Sequence, residues 1–187
     1  MHERFTERAR ARGIRVAGFA VILLGAGAAL LPAEKGISSD VMGAMLVAAG
    51  LIETIAGSLR SQVRGLAMAA GVVTVLAGLL FLINPETRFF PNVTPIIGWL
   101  GIRALILGYA STHSRGSVRT WMAISAGIDL LLGIVLVAGL SIAALVVSLF
   151  GPTPALIASF AWVLAASFVA NGLMLLEVAS CERESAA

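Results

Sequence analysis

Glu53, Arg103 and Asp129 are ionisable residues that each interrupt a long apolar stretch of the chain. Charge in hydrocarbon is costly, so each is a functional candidate wherever its stretch crosses a membrane. Their depths follow from the flanking arginines: Glu53 is seven residues from Arg60, Arg103 twelve from Arg115 and Asp129 ten from Arg119. At the helical rise these are about 10, 18 and 15 Å, which puts all three in one layer. Glu53 lies one turn from Gly50 and Gly57, and Asp129 one turn from Ser125 and Gly133, so each lies on a small-residue stripe where a neighbouring helix comes close. Arg103 stands one turn from Trp99, whose ring offers a cation–π contact beside any carboxylate. The expected arrangement is a buried Glu53–Arg103–Asp129 cluster. Two carboxylates against one guanidinium leave a formal negative charge unless one acid stays protonated. Such a cluster either pins the helices in one register or forms a proton-responsive or ion-conducting site, and spacing leaves both open. Asn171 and Ser125 are secondary polar candidates, Asn171 as an interhelical hydrogen-bonding group.

Other chemistry finds little to work with. His2 and His113 are the only histidines, neither with a second ligand at helical spacing, so no metal site is expected. His113 reads as a solvated loop residue. Cys181 is the only cysteine, which excludes an intrachain disulfide. No phosphate loop, Gly-x-Ser-x-Gly, His-Glu-x-x-His or Cys-x-x-Cys occurs, and no nucleophile has a positioned base. The expectation is a protein that is not an enzyme and has no cofactor.

The elements that must position these residues are set by composition. Of 187 residues 59% are apolar and only 12% charged, with a mean hydropathy of +0.98. A soluble domain carries about 25% charged residues, so this chain lacks the polar surface that water contact needs. The apolar blocks are 14–31, 41–59, 66–83, 93–110, 121–149 and 155–179. Each is close to or longer than the roughly 20 residues needed to cross the hydrocarbon core, and a spanning backbone must satisfy its own hydrogen bonds as a helix. The fold class is therefore an all-α membrane protein of six transmembrane helices, arranged as three tandem hairpins over 14–59, 66–110 and 121–179. Residues 1–13 form a basic segment and 180–187 a short tail. The separators are Pro32–Gly36, Arg60–Arg64, Asn84–Arg88, Ser111–Gly116 and Gly151–Pro154.

Orientation follows from basic residues in short loops. One side holds Arg4, Arg8, Arg10, Arg12, Arg15, Arg60, Arg64, Arg115, Arg119 and Arg183; the other holds Lys35 and Arg88. The arginine-rich side reads as cytoplasmic, with both termini on it. The basic residues fall between apolar blocks and form no single patch, so the partner they imply is the lipid bilayer and not nucleic acid. The first block follows a basic segment as a signal peptide would, but Pro32-Ala-Glu-Lys is a poor cleavage site, so it reads as a retained helix. Trp99, Trp121, Trp162 and Tyr109 read as interface anchors or packing residues.

The chain also repeats. Gly25, Gly78 and Gly133 lie 53 and 55 residues apart in the odd-numbered blocks, and Pro32 and Pro85 follow the first two by seven residues. The third unit has Leu140 there. In the even-numbered blocks Gly50 and Gly57, Gly101 and Gly108, and Ala165 and Gly172 are small residues seven apart. Such a period reads as one supersecondary unit used three times, with small-residue stripes for close helix packing. The fifth block, 29 residues with Asp129 as its one charge, is roughly 43 Å long and exceeds the hydrocarbon core. It is expected to tilt, or to project Ser141–Phe150 beyond the membrane before Gly151-Pro152 turns the chain.

The segments Ala20–Pro32, Val72–Pro85, Ala48–Gly57 and Gly98–Gly108 (AVILLGAGAALLP, VVTVLAGLLFLINP, AAGLIETIAG and GWLGIRALILG) carry a resemblance to the HdeD family of acid-resistance membrane proteins. It covers about Arg12 to Glu177, in order and spacing more than in any one residue. The third unit departs by lacking the proline and carrying extra residues. The resemblance implies a bacterial inner-membrane stress protein that supports acid tolerance by a non-enzymatic mechanism, and it supplies no catalytic residues. Two other classes remain open: a small transporter or ion or proton channel using the charged layer, and an accessory subunit of a larger membrane complex. A second copy of the chain or another membrane protein is the kind of partner the glycine-rich faces would take.

Overall fold

The computed structural model describes residues 2–30, 39–83, 93–150 and 154–184. These residues form six helices: α1 (His2–Ala29), α2 (Ser39–Ser58), α3 (Arg64–Ile83), α4 (Val93–Thr112), α5 (Gly116–Phe150) and α6 (Pro154–Glu184). All six contain a segment long and apolar enough to cross a membrane. The outward faces carry Leu23, Leu51, Leu76, Leu105 and Leu131, whereas Glu53, Arg103 and Asp129 are buried. A water-soluble bundle would invert that arrangement, since an exposed apolar belt of this extent favours association in water. The protein is a multi-pass membrane protein.

Helix ends differ from the sequence reading in instructive ways. The basic segment 1–13 is not a separate element, because α1 runs through it from His2. Its arginines, alanines and glutamates are good helix formers. Ala11 and Ile14 are fully buried, and the Arg10 Nε donates to the Leu59 carbonyl at 3.0 Å. The first residues of the expected tail likewise continue α6 to Glu184. Helix α5 extends to 35 residues, about 52 Å at the helical rise. With no proline at Leu140, α5 continues to Phe150. The separators at Pro32–Gly36 and Asn84–Arg88, and the turn at Gly151-Pro152, lie outside the described residues.

One end of the bundle gathers the arginine-bearing turns. Glu182 on α6 accepts from the backbone and hydroxyl of Ser61 at 2.8 and 2.5 Å, and Gln62 accepts from the Arg115 backbone at 3.2 Å. The α4–α5 turn closes on Gly116 at φ 62°, a conformation glycine takes without penalty. The α2–α3 turn places Val63 at φ 46°, a strained choice for a β-branched residue, while its side chain packs on the core.

The helices form a closed ring in chain order, α6 packing back onto α1. The most extensive interfaces are α2–α3, α1–α6 and α4–α5, so the tightest pairs fall between the three expected hairpins and not within them. Glycine makes two of these pairs close. A Cβ on Gly50 would lie 2.5 Å from Val75 N and 2.7 Å from Gly71 O, and one on Gly78 would lie 2.7 Å from Gly43 O. On the other side of the ring, a Cβ on Gly172 would lie 2.8 Å from Gly18 O, and one on Gly25 would lie 3.0 Å from Ala165 O. Gly57 meets Met68 N at 2.8 Å. Gly43, Gly71 and Gly18, which sequence reasoning passed over, are thus the partners of Gly78, Gly50 and Gly172.

The third pair is looser, and here the glycine assignments need correction. A Cβ on Gly101 would meet no neighbouring helix within 4 Å, while one on Gly108 or Gly133 would reach only Ala126 Cβ at 4.0 Å or Leu100 Cβ at 3.9 Å. Helices α4 and α5 are joined instead by the long Arg103 side chain reaching Asp129, which does not require the backbones to touch.

This contrast generates a test. Gly50→Ala should lower unfolding stability of the purified full-length protein by about 1–3 kcal/mol through overpacking. Gly101→Ala should leave it unchanged or raise it by up to about 1 kcal/mol through helix propensity. Denaturant titration in mixed micelles reads both.

Candidate functional site

The three charged residues that the sequence placed at a common depth meet in the centre of the bundle. Arg103 on α4 is fully buried, its Nη2 3.1 Å from Glu53 Oε1 on α2 and its Nη1 3.0 Å from Asp129 Oδ2 on α5. Nη1 also donates to Ser167 Oγ on α6 at 3.0 Å, and that hydroxyl donates in turn to Asp129 Oδ1 at 2.7 Å. Asn171, one turn along α6, donates its amide to Glu53 Oε1. The expected interhelical bond of Asn171 is therefore made, and its acceptor is the cluster itself.

The indole of Trp99 closes one side. It lies one turn before Arg103, with the guanidinium carbon 5.8 Å from its ring centroid, so cation–π contact and ion pairing occur together. Its N–H donates to Thr74 Oγ1 on α3 at 3.0 Å. Thr74 itself donates back to the Ala70 carbonyl at 3.0 Å and lies 3.5 Å from Glu53 Oε2. Phe168 on α6 stands edge-on to Trp99, with centroids 6.4 Å apart. Five of the six helices, α2 to α6, thus contribute a polar or aromatic group to one connected network.

Ser167 and Thr74 were missed from sequence. Isolated hydroxyls are common in apolar helices, and their only signals were Ser167 one turn before Asn171 and Thr74 one turn after Gly71. Ser125, predicted as a secondary member, is buried but its hydroxyl has no partner among the described residues. It shares α5 with Asp129 one turn away, yet the carboxylate is already taken by Arg103 and Ser167.

The second omission is Arg60. Sequence reading counted it with the topology-setting loop arginines, but it is only 5% exposed and borders a small cavity with Glu53, Arg103 and Asn171. Its charge acts on Glu53 and is itself opposed by Glu182, so a second guanidinium stands beside the cluster's carboxylates. Burial pulls the Arg60 guanidinium down to about 10, opposed by Glu53 and then Glu182, which leaves it cationic at neutral pH. The group of three or more His, Cys, Asp and Glu side chains that a metal centre needs is not found among the described residues. His113 lies exposed beside Tyr109 at the end of α4, with ring centroids 4.5 Å apart, and its ring hydrogen bonds go to Tyr109 and Thr112.

No family model matches the chain, and comparison with curated proteins and with solved structures likewise finds no match.

The arrangement is an ionic joint in which both carboxylates pair with the one Arg103 guanidinium. Removing one partner leaves the others buried and unpaired, which in protein interiors costs about 3–5 kcal/mol. Arg103→Ala should therefore abolish monodisperse folded protein or lower its unfolding stability by about that amount. Ser167→Ala and Asn171→Ala, which remove single hydrogen bonds in a membrane core, should each cost about 0.6–1.7 kcal/mol. Size-exclusion profiles and unfolding titrations in one detergent system rank the three.

Proposed function

We propose that this chain is a bacterial inner-membrane stress protein of the HdeD type that supports acid tolerance by a non-enzymatic, membrane-level mechanism. The observation that carries this reading is the closed charged cluster. Arg103 pairs with both Glu53 and Asp129, and the cavity beside them is about 10 Å³, room for one water and not for a substrate. A cluster of that kind favours a joint that keeps helices α2 to α6 in register over a transport chamber. The apolar outer faces favour lipid or another membrane protein as the surface on which the bundle acts. The concentration of arginines at one end favours that end, and both chain termini, on the cytoplasmic side.

The experiment is acid survival. Cells lacking the chain should lose viability after an acid pulse, and the wild-type chain should restore it. Arg103→Ala should fail to restore it in proportion to the loss of assembled protein. Wild-type complementation without any gain in survival would refute the protective reading. Proton flux through proteoliposomes across a pH gradient would replace it with a transport role. Tags on the two termini should label only from the cytoplasmic side.

A further inference from the structure

We propose that the space between Glu53, Arg60 and Arg103 is a water-binding site reached from the arginine-bearing end, with the Arg60 side chain as the plug of its inlet. The inference goes beyond the protective role and does not depend on it. Two cavities carry it. The outer one, about 20 Å³, is bordered by Arg60, Ser61, Gln62, Val118, Cys181 and Glu182. The inner one, about 10 Å³, is bordered by Glu53, Arg60, Arg103, Asn171, Ala70 and Met174. Arg60 is common to both linings, so its side chain divides a mouth among the turns from a chamber against the charged cluster. Each cavity has room for about one water.

The donors around the inner cavity point to the same ligand. Nε and Nη1 of Arg60 and Nε of Arg103 are buried without a hydrogen-bond partner among the described residues. A buried unsatisfied donor costs about 1–3 kcal/mol, more when it is charged. A water bound there accepts from a guanidinium N–H and donates to the Glu53 carboxylate. The surrounding charges exclude ions. An anion would face Glu53, with Asp129 behind Arg103 and Glu182 beside Arg60; a cation would face Arg60 and Arg103. Thr74 on α3 and Asn171 on α6 complete the polar groups around Glu53 and carry no charge. Glu53 is then the member of the cluster in aqueous contact, while Asp129 is enclosed by Arg103 and Ser167.

Radiolytic hydroxyl-radical labelling of the full-length protein in nanodiscs tests this, because side chains beside bound water are oxidised in place. Met174 borders the inner cavity and is 2% exposed, whereas Met122 is 0% exposed and borders neither cavity. In the wild-type protein Met174 should be oxidised several-fold faster than Met122. Arg60→Ala should raise the Met174 rate several-fold further and leave that of Met122 unchanged. Equal rates in the wild-type protein would overturn the water site, and an unchanged Met174 rate in a folded Arg60→Ala variant would overturn the plug. The wild-type comparison stands even where the variant fails to fold. Loss of acid protection would leave the labelling pattern intact, so the two proposals fail separately.

Discussion

A guanidinium cannot be left alone in hydrocarbon, and the architecture of this bundle follows from where Arg103 finds its partners. Its charge is met by Glu53 from α2 and Asp129 from α5, and Ser167 from α6 ties the second carboxylate to the same nitrogen. These partners come from α2, α5 and α6, so the pairing exists only when those three helices pack around α4. Each helix has one register that delivers its group to the layer, since a slip of one residue turns a side chain by about 100° around a helix. Lipid offers no hydrophobic drive to bring helices together, which leaves such polar contacts and close packing to choose the arrangement.

Close packing supplies the other half, and it is distributed unevenly. Gly50 against Gly71, Gly43 against Gly78, and Gly172 against Gly18 bring α2–α3 and α1–α6 to backbone contact. The α4–α5 pair lacks that approach and holds instead through Arg103 and Asp129. The ring is therefore fastened by two glycine seams and one ionic seam. The ionic seam is the one in which electrostatics can change the strength of the fold, and its neighbour Arg60 lies where the membrane-spanning helices give way to the turns.

Much of this was legible in the residues. Six apolar blocks implied six helices, because backbone in hydrocarbon has no other way to satisfy its hydrogen bonds. The depth of Glu53, Arg103 and Asp129 could be counted from flanking arginines, and the cost of isolated charge implied that they meet. Arg60 was misplaced because an arginine immediately after a span looks like any other topology determinant; its burial depends on how Glu182 and Val178 of α6 cover the α2–α3 turn. The seven-residue glycine spacing was visible, but its pairing was not. Gly43 and Gly71 matter only through the neighbour each meets, and the sequence pattern associated Gly50 with Gly57 inside one helix. Gly101 and Gly108 shared the spacing without a close approach, since a spacing records a face and not the distance to what lies opposite.

The claim on which this account depends is that Arg103 and Asp129 act as one unit across α4 and α5. A double-mutant cycle with Arg103→Gln and Asp129→Asn, read as unfolding free energy of the full-length protein in mixed micelles, measures that coupling directly. The account predicts that the double variant is less destabilised than the two single variants together, with a coupling of about 1–3 kcal/mol. Effects that add to within about 0.5 kcal/mol would contradict it.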